Sequence, residues 1–198
     1  MTKGQRTRER IVRRTGAMLN THGYAGTTVD DILAATGLTK GGLYRHFPDK
    51  DAVALAGYRF NLAALAEART AAVAGIDPPL QRLRRLIGFG LDVIASPPVK
   101  GGCPLLNLAL ESDDTRPEHR REARKAMELW RAELVAAGRA AREARALRRG
   151  FDPERFASLA ISATEGGIAQ SHLYRDPSHL ETAVACLLDV LDGHTAHA

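Results

Sequence analysis

Residues 28–47, TVDDILAATGLTKGGLYRHF, constrain this chain more than any other stretch. Val29, Ile32 and Leu33 recur at helical spacing, and so do Leu43 and Phe47. Between the two sets stands Gly37, free to take the left-handed backbone that ends a helix. Thr28, with Asp31 three residues on, forms a variant of the capping box. Thr39 caps a second short helix, and Pro48 stops it. Two short helices joined by a glycine turn are what a helix-turn-helix needs. An ordinary corner in a helical protein is the other reading of the same pattern. Gly41 and Gly42 are the anomaly, because each costs about 0.8–1 kcal/mol relative to Ala in a helix interior.

The rest of the chain reads as helix punctuated by Gly and Pro, so the fold class is all-α, with about nine helices. The first helix is expected from Gln5 to Thr21, with Ile11, Thr15, Met18 and Leu19 inward. After Asp49, helices are expected at about Lys50–Ala74, Leu80–Ala95 and Leu105–Glu111. Thr115 and Glu118 form a capping-box pattern opening the longest helix, expected to run to about Arg149 with Gly150 as its stop. Its Ala/Arg-rich end, AAGRAAREARALRR, reads as a solvated, strongly helical surface. Helices from Pro153 to about Tyr174 and from about Ser178 to Leu191 complete the chain.

Charge divides the chain. Residues 1–50 hold nine Lys/Arg against four Asp/Glu, a net +5. The remainder holds 19 of the 28 basic and 19 of the 23 acidic residues, and is neutral. A polyanion-binding head of residues 1–50 on a neutral body of residues 51–198 follows, with a solvated basic arm as the plainer alternative. On the second short helix Lys40, Gly41, Tyr44 and Arg45 lie opposite Leu43 and Phe47. Lys and Arg reach phosphates or guanine edges, and Tyr and His reach phosphates.

The stretch RERIVRRTGAMLNTHGYAGTTVDDILAATGLTKGGLYRHFPDKDAV resembles the N-terminal DNA-binding domain of the TetR/AcrR transcriptional regulators. Gly16 and Arg14 depart from a first helix that is usually richer in alanine and large apolar residues. The resemblance implies a three-helix head, and a helical body that binds a ligand and dimerises through its last two helices. It implies repression relieved by a small molecule. Residue by residue, it implies phosphate contacts from Thr28, Thr39, Tyr44, His46 and Lys50. It places Lys40, Gly41 and Arg45 at base edges, and makes Gly42 the point of close backbone approach. KGGCPLLNLALESDD and SATEGGIAQSHLYRDP resemble body segments of one branch of the same family.

For the pocket, the candidates are Phe60, Phe89, Asn107, Met127, Trp130, Glu165 and His172, each with a core or surface role as its alternative. Gly166 and Gly167 remove side chains where another helix can approach. Cys103 and Cys186 make no disulfide framework, and the seven His show no close metal spacing. A reduced, cytosolic protein without cofactor or metal is expected. There is no G-x-S-x-G, Walker loop, H-E-x-x-H or C-x-x-C, so an enzyme has little to rest on. A DNA binder with no small ligand is the remaining alternative to a ligand-responsive one.

Overall fold

The computed structural model describes residues 2–112 and 116–196. Its helices are α1 (Lys3–His22), α2 (Val29–Thr36), α3 (Lys40–Tyr44), α4 (Lys50–Ala72), α5 (Pro79–Ala95), α6 (Pro104–Ser112), α7 (Pro117–Glu143), α8 (Pro153–Tyr174) and α9 (Ser178–Asp192). Among the described residues there is no strand, only an isolated bridge between Leu147 and Thr195.

Helix α1 starts earlier than its apolar pattern suggests. Thr2 and Gln5 form a reciprocal capping box that carries the helix to Lys3, so the first basic residues are helical rather than a loose arm. Thr115, assigned above to a capping box, lies outside the described residues. The long helix stops at Glu143, not near Arg149. Arg145 takes a left-handed φ of 58°, and the chain leaves the helix. Arg148 N then donates to His194 O at 2.8 Å, and Ala196 N to Ala146 O at 3.1 Å. The helix thus ends within the Ala/Arg-rich segment, whose Arg142, Glu143, Arg145, Arg148 and Arg149 remain exposed. Leaving the helix buries Leu147 and Phe151, and the pairing replaces the helical backbone bonds given up there.

The chain forms two compact units, Met1–Leu65 with Pro98–Arg124, and Ala66–Pro97 with Lys125–Ala198. This division differs from a boundary at residue 50. In the first unit Ile11, Val12, Ile32, Leu43, Phe47 and Val53 form one apolar cluster, and Phe60 packs against it. The first turns of α4 therefore complete the head core. Helices α1 and α4 cross at glycines. A methyl group on Gly16 would stand 2.5 Å from Asn61 Oδ1 and 3.0 Å from Gly57 O. Asn61 Nδ2 donates to Gly16 O at 2.8 Å across this crossing. Gly16 thus exchanges helix propensity for close packing.

The segment before α6 fastens to the end of α1. Asn20 Nδ2 donates to Lys100 O at 2.8 Å. Asn107 Nδ2 donates to Gly101 O at 2.8 Å and Asn20 Oδ1 at 3.1 Å. Gly101 has a φ of 109°, and a methyl group there would lie 2.4 Å from Asn20 O.

In the second unit α9 packs against α8 and α5. Gly167 admits it, since a methyl group there would meet Leu180 at 2.9 Å and Ala183 at 3.2 Å. Gly90 does the same for Thr164, at 2.8 Å. Leu83, Ile87, Ile168, Val184 and Leu187 are buried in this unit.

Candidate nucleic-acid interface

The site begins with its caps. Thr28 Oγ1 accepts from Asp31 N at 3.1 Å. The Asp31 carboxylate accepts from Thr28 N at 2.8 Å and from the Thr28 hydroxyl at 2.6 Å. These hydrogen bonds from Thr28 hold the Asp31 carboxyl below the usual range. Both Thr28 groups considered for phosphate are therefore already shared with Asp31. Gly37 takes the left-handed φ of 67° that turns the chain, and Thr39 accepts from Gly42 N at 3.2 Å to start α3.

Leu43 and Phe47 anchor α3 to the core, while Thr39, Lys40, Gly41, Tyr44 and Arg45 are exposed on its other side. His46 is half-buried at the edge. The two glycines are not equivalent. A methyl group on Gly42 would touch Thr39 Oγ1 at 3.4 Å and Leu38 at 3.6 Å. One on Gly41 would have nothing within 4 Å. Gly41 therefore leaves an open notch on a cationic surface.

Tyr24, in the turn between α1 and α2, is a hub that sequence reasoning missed. Its N–H donates to the Glu111 carboxylate at 2.9 and 3.1 Å. Its hydroxyl donates to Asp51 Oδ1 at 2.6 Å, which also accepts from Arg116 Nη1 at 2.8 Å. Lys50 Nζ donates to Tyr24 O at 2.8 Å and lies 4.0 Å from its ring centre, with the Arg116 guanidinium 3.5 Å from that centre. Burial first, then Arg116, lowers the Lys50 pKa. Burial first, then the Asp51 hydrogen bond, raises that of Tyr24. Tyr58 also donates to Glu111, at 2.8 Å, and burial pushes its hydroxyl far above the ordinary range. Lys50 is thus half-buried and oriented by a carbonyl, with further ammonium hydrogens left to donate. No local motif announces this hub, because Glu111 is 87 residues from Tyr24.

The seven pocket candidates separate. Phe60 belongs to the head core, and Asn107 is engaged by Asn20 and Gly101. His172 is exposed. These three leave the pocket set because packing, an internal hydrogen-bond clamp and solvent already explain them. Phe89, Trp130 and Glu165 are buried in the second unit, with Met127 half-buried. Trp130 Nε1 has no hydrogen-bond partner among the described residues. Two cavities are described. One of about 390 Å³ is lined by Asp49, Asp51, Arg116, Glu118 and His119 among others. One of about 430 Å³ is lined by Phe151, Arg155, Phe156, Leu159 and His194 among others. None of the seven candidates lines either. Cys103 is buried, which removes the exposure a sensor thiol needs. Among the described residues no group of three potential metal ligands forms, and no helix is long and apolar enough to cross a membrane.

A capped α2, a left-handed glycine turn and a core-anchored α3 with a cationic outer face define a helix-turn-helix DNA-binding protein. Residues 11–56 match the profile of bacterial regulatory proteins of the tetR family, and residues 79–187 match the tetracyclin repressor-like C-terminal domain. The chain belongs to the tetR family of transcriptional regulators. A TetR transcriptional regulator from Chloroflexus aurantiacus J-10-fl is 35% identical, with all of each chain covered and a TM-score of 0.96. A TetR-family regulator from Cytophaga hutchinsonii is 29% identical, covering 100% of this chain and 99% of that one, with a TM-score of 0.92. The HTH-type transcriptional repressor DhaR of Mycobacterium sp. (strain GP1) is 22% identical over 93% of this chain and 91% of its own length.

Proposed function

We propose that this regulator is a repressor that binds a palindromic operator as a homodimer and is released by a small-molecule effector. The exposed outer face of α3, cationic and open at Gly41, carries the DNA reading. Lys40 and Arg45 reach base edges there, and Gly42 brings the backbone close. Thr39, Tyr44, His46 and Lys50 hold phosphates, and Thr28 joins them only by giving up a hydrogen bond to Asp31. The dimer is supported by an unfilled stripe on α8, where Leu159, Gly166, Ala169 and Leu173 recur at spacings of seven, three and four. Leu159 is 47% and Leu173 74% exposed, and a methyl group on Gly166 would meet nothing within 4 Å. Two such stripes can pack as a helix-helix seam. The effector reading rests on Trp130, a buried donor to which a ligand acceptor would supply the missing hydrogen bond. Phe89, Met127 and Glu165 are its companions in the same unit.

Selection of bound duplexes from a random pool tests the core of this reading. A pseudo-palindrome with half-sites about 34–36 Å apart, or a multiple, is expected. An asymmetric consensus would overturn the homodimer. The small-molecule fraction of a cell extract is then added to the complex. Release of DNA with a shift in the emission of Trp130, the chain's single tryptophan, is expected. Unchanged affinity across extracts would favour the binder without effector.

Lys50→Ala gives a separate check. It is expected to weaken specific and non-specific DNA alike, and to lower the slope of log K against log salt by about one unit. A lower melting temperature with an unchanged slope would confine Lys50 to its role on Tyr24.

A further inference from the structure

We propose that His119 is an acid-sensitive latch on the DNA-binding unit, holding the turn that leads into α2 in its reading position while its ring is neutral. This goes beyond the DNA-binding reading and rests on it for its effect. His119 lies in the first turn of α7, inside the first compact unit, and is only 4% exposed. Its ring stands 5.7 Å from the Tyr24 ring and, edge-on, 5.2 Å from the Tyr58 ring. Tyr24 belongs to the turn between α1 and α2, and Tyr58 to α4, so one imidazole packs against two parts of the head.

What moves with Tyr24 bears on DNA. Its carbonyl accepts from Thr27 N at 3.3 Å and from Lys50 Nζ at 2.8 Å, and its hydroxyl ties it to Asp51. A displaced Tyr24 therefore loosens both the start of α2 and the cation proposed above for phosphate.

The neighbours of the ring decide which charge it can carry. Lys50 and Arg116 already lie over the Tyr24 ring, 4.0 and 3.5 Å from its centre. The nearby carboxylates are engaged. Asp51 accepts from Tyr24 and Arg116, and Glu111 of α6 accepts from Tyr24 and Tyr58. Glu118, beside His119 in α7, is exposed. A third cation in the packed site is therefore disfavoured. Burial first, then Arg116, lowers the His119 pKa, against the opposing pull of Asp51 and Glu118. A charged ring has another place to go. The cavity of about 390 Å³ that His119 lines is also lined by Asp49, Asp51 and Glu118, with Arg116. There it gains the water and carboxylates that the tyrosines do not offer. One state is neutral and packed and the other charged and solvated, so pH sets their ratio. The packed state is favoured fully above the ordinary histidine value of about 6.5, and is lost progressively as pH falls below it.

The test uses the full chain and the duplex that the wild type selects from a random pool. His119→Phe keeps a ring against both tyrosines and cannot titrate. His119→Gln serves the same purpose if circular dichroism shows the Phe variant misfolded. The chain's other histidines are common to wild type and variant, so the ratio of their affinities isolates His119. Carboxylates of ordinary pKa stay ionised above pH 5.5. Between pH 7.5 and 5.5, wild-type affinity is expected to fall about 3- to 10-fold relative to the variant, since one proton shifts the equilibrium by at most about 10-fold per pH unit. The wild type alone supplies a second readout. In proton NMR the His119 ring should titrate below the ordinary histidine value, and lower still with the duplex bound, because the coupling is reciprocal. Parallel pH profiles for wild type and variant overturn the proposal. So does a ring titration that the duplex does not move. Arg45→Ala separates the two levels. If it binds the duplex as the wild type does, the reading of α3 fails. If it is impaired while the profiles stay parallel, the latch alone fails.

Discussion

Gly41→Leu is expected to abolish specific operator binding while leaving the head folded. Nothing stands within 4 Å of a methyl group at this position, so the leucine meets no protein atom near its Cβ. Leucine is also a better helix former than glycine, by at most about 0.8 kcal/mol, so urea midpoints should hold or rise slightly. On DNA the same side chain fills the notch between Lys40 and Arg45. Each base-edge interaction is worth about 1–3 kcal/mol, so displacing two of them lowers affinity by about 30-fold or more. Titration of a labelled operator beside a urea melt reads both effects. Gly42→Leu is the less clean test, because that position already touches Thr39 and Leu38. A stable Gly41→Leu protein with normal operator affinity would take α3 out of the groove.

Gly166→Arg should convert the dimer to a monomer. The side chain enters the open stripe of α8 between Leu159 and Leu173, where a second copy is proposed to lie. Arginine is favoured over glycine in a helix, so helicity should not fall. Linking two heads raises affinity by about 10²–10⁴ through effective concentration, and the variant should lose about that factor on a palindrome. Light scattering gives the mass, and titration gives the affinity. Binding to a single half-site should be unchanged. A variant that remains dimeric would move the interface away from Gly166. The adjacent Gly167 is a poor site for this test, because Leu180 and Ala183 already occupy its space.

That pair of glycines shows where local reasoning stops. Both stand in one helix with no local feature to separate their roles, and only the approach of α9 distinguishes them. The helix ends were legible where a cap or a proline acts within a few residues. Pro153 opens α8, and Thr28 with Asp31 opens α2, at the expected positions. The end of α7 was not, because burial of Leu147 and Phe151 overrides the high propensity of AAREARALRR. The exposed face of α3 was legible, since Leu43 and Phe47 define its inner side. The setting of Lys50 was not. Its partner Tyr24 is 26 residues away, and the carboxylates that complete that hub come from α4 and α6.

Read residue by residue, the chain already specified an all-helical protein, the capped two-helix reading element and the basic sign of its first quarter. Those features come from interactions within about four residues, and from charge, which needs no fold to be counted. Packing decided the rest. It joined residues 98–124 to the DNA-binding unit, gave Asn107 to Asn20 instead of a ligand, and left Trp130 a buried donor. Each of these depends on which surfaces meet across tens of residues, and that is settled by close packing and the pairing of buried polar groups.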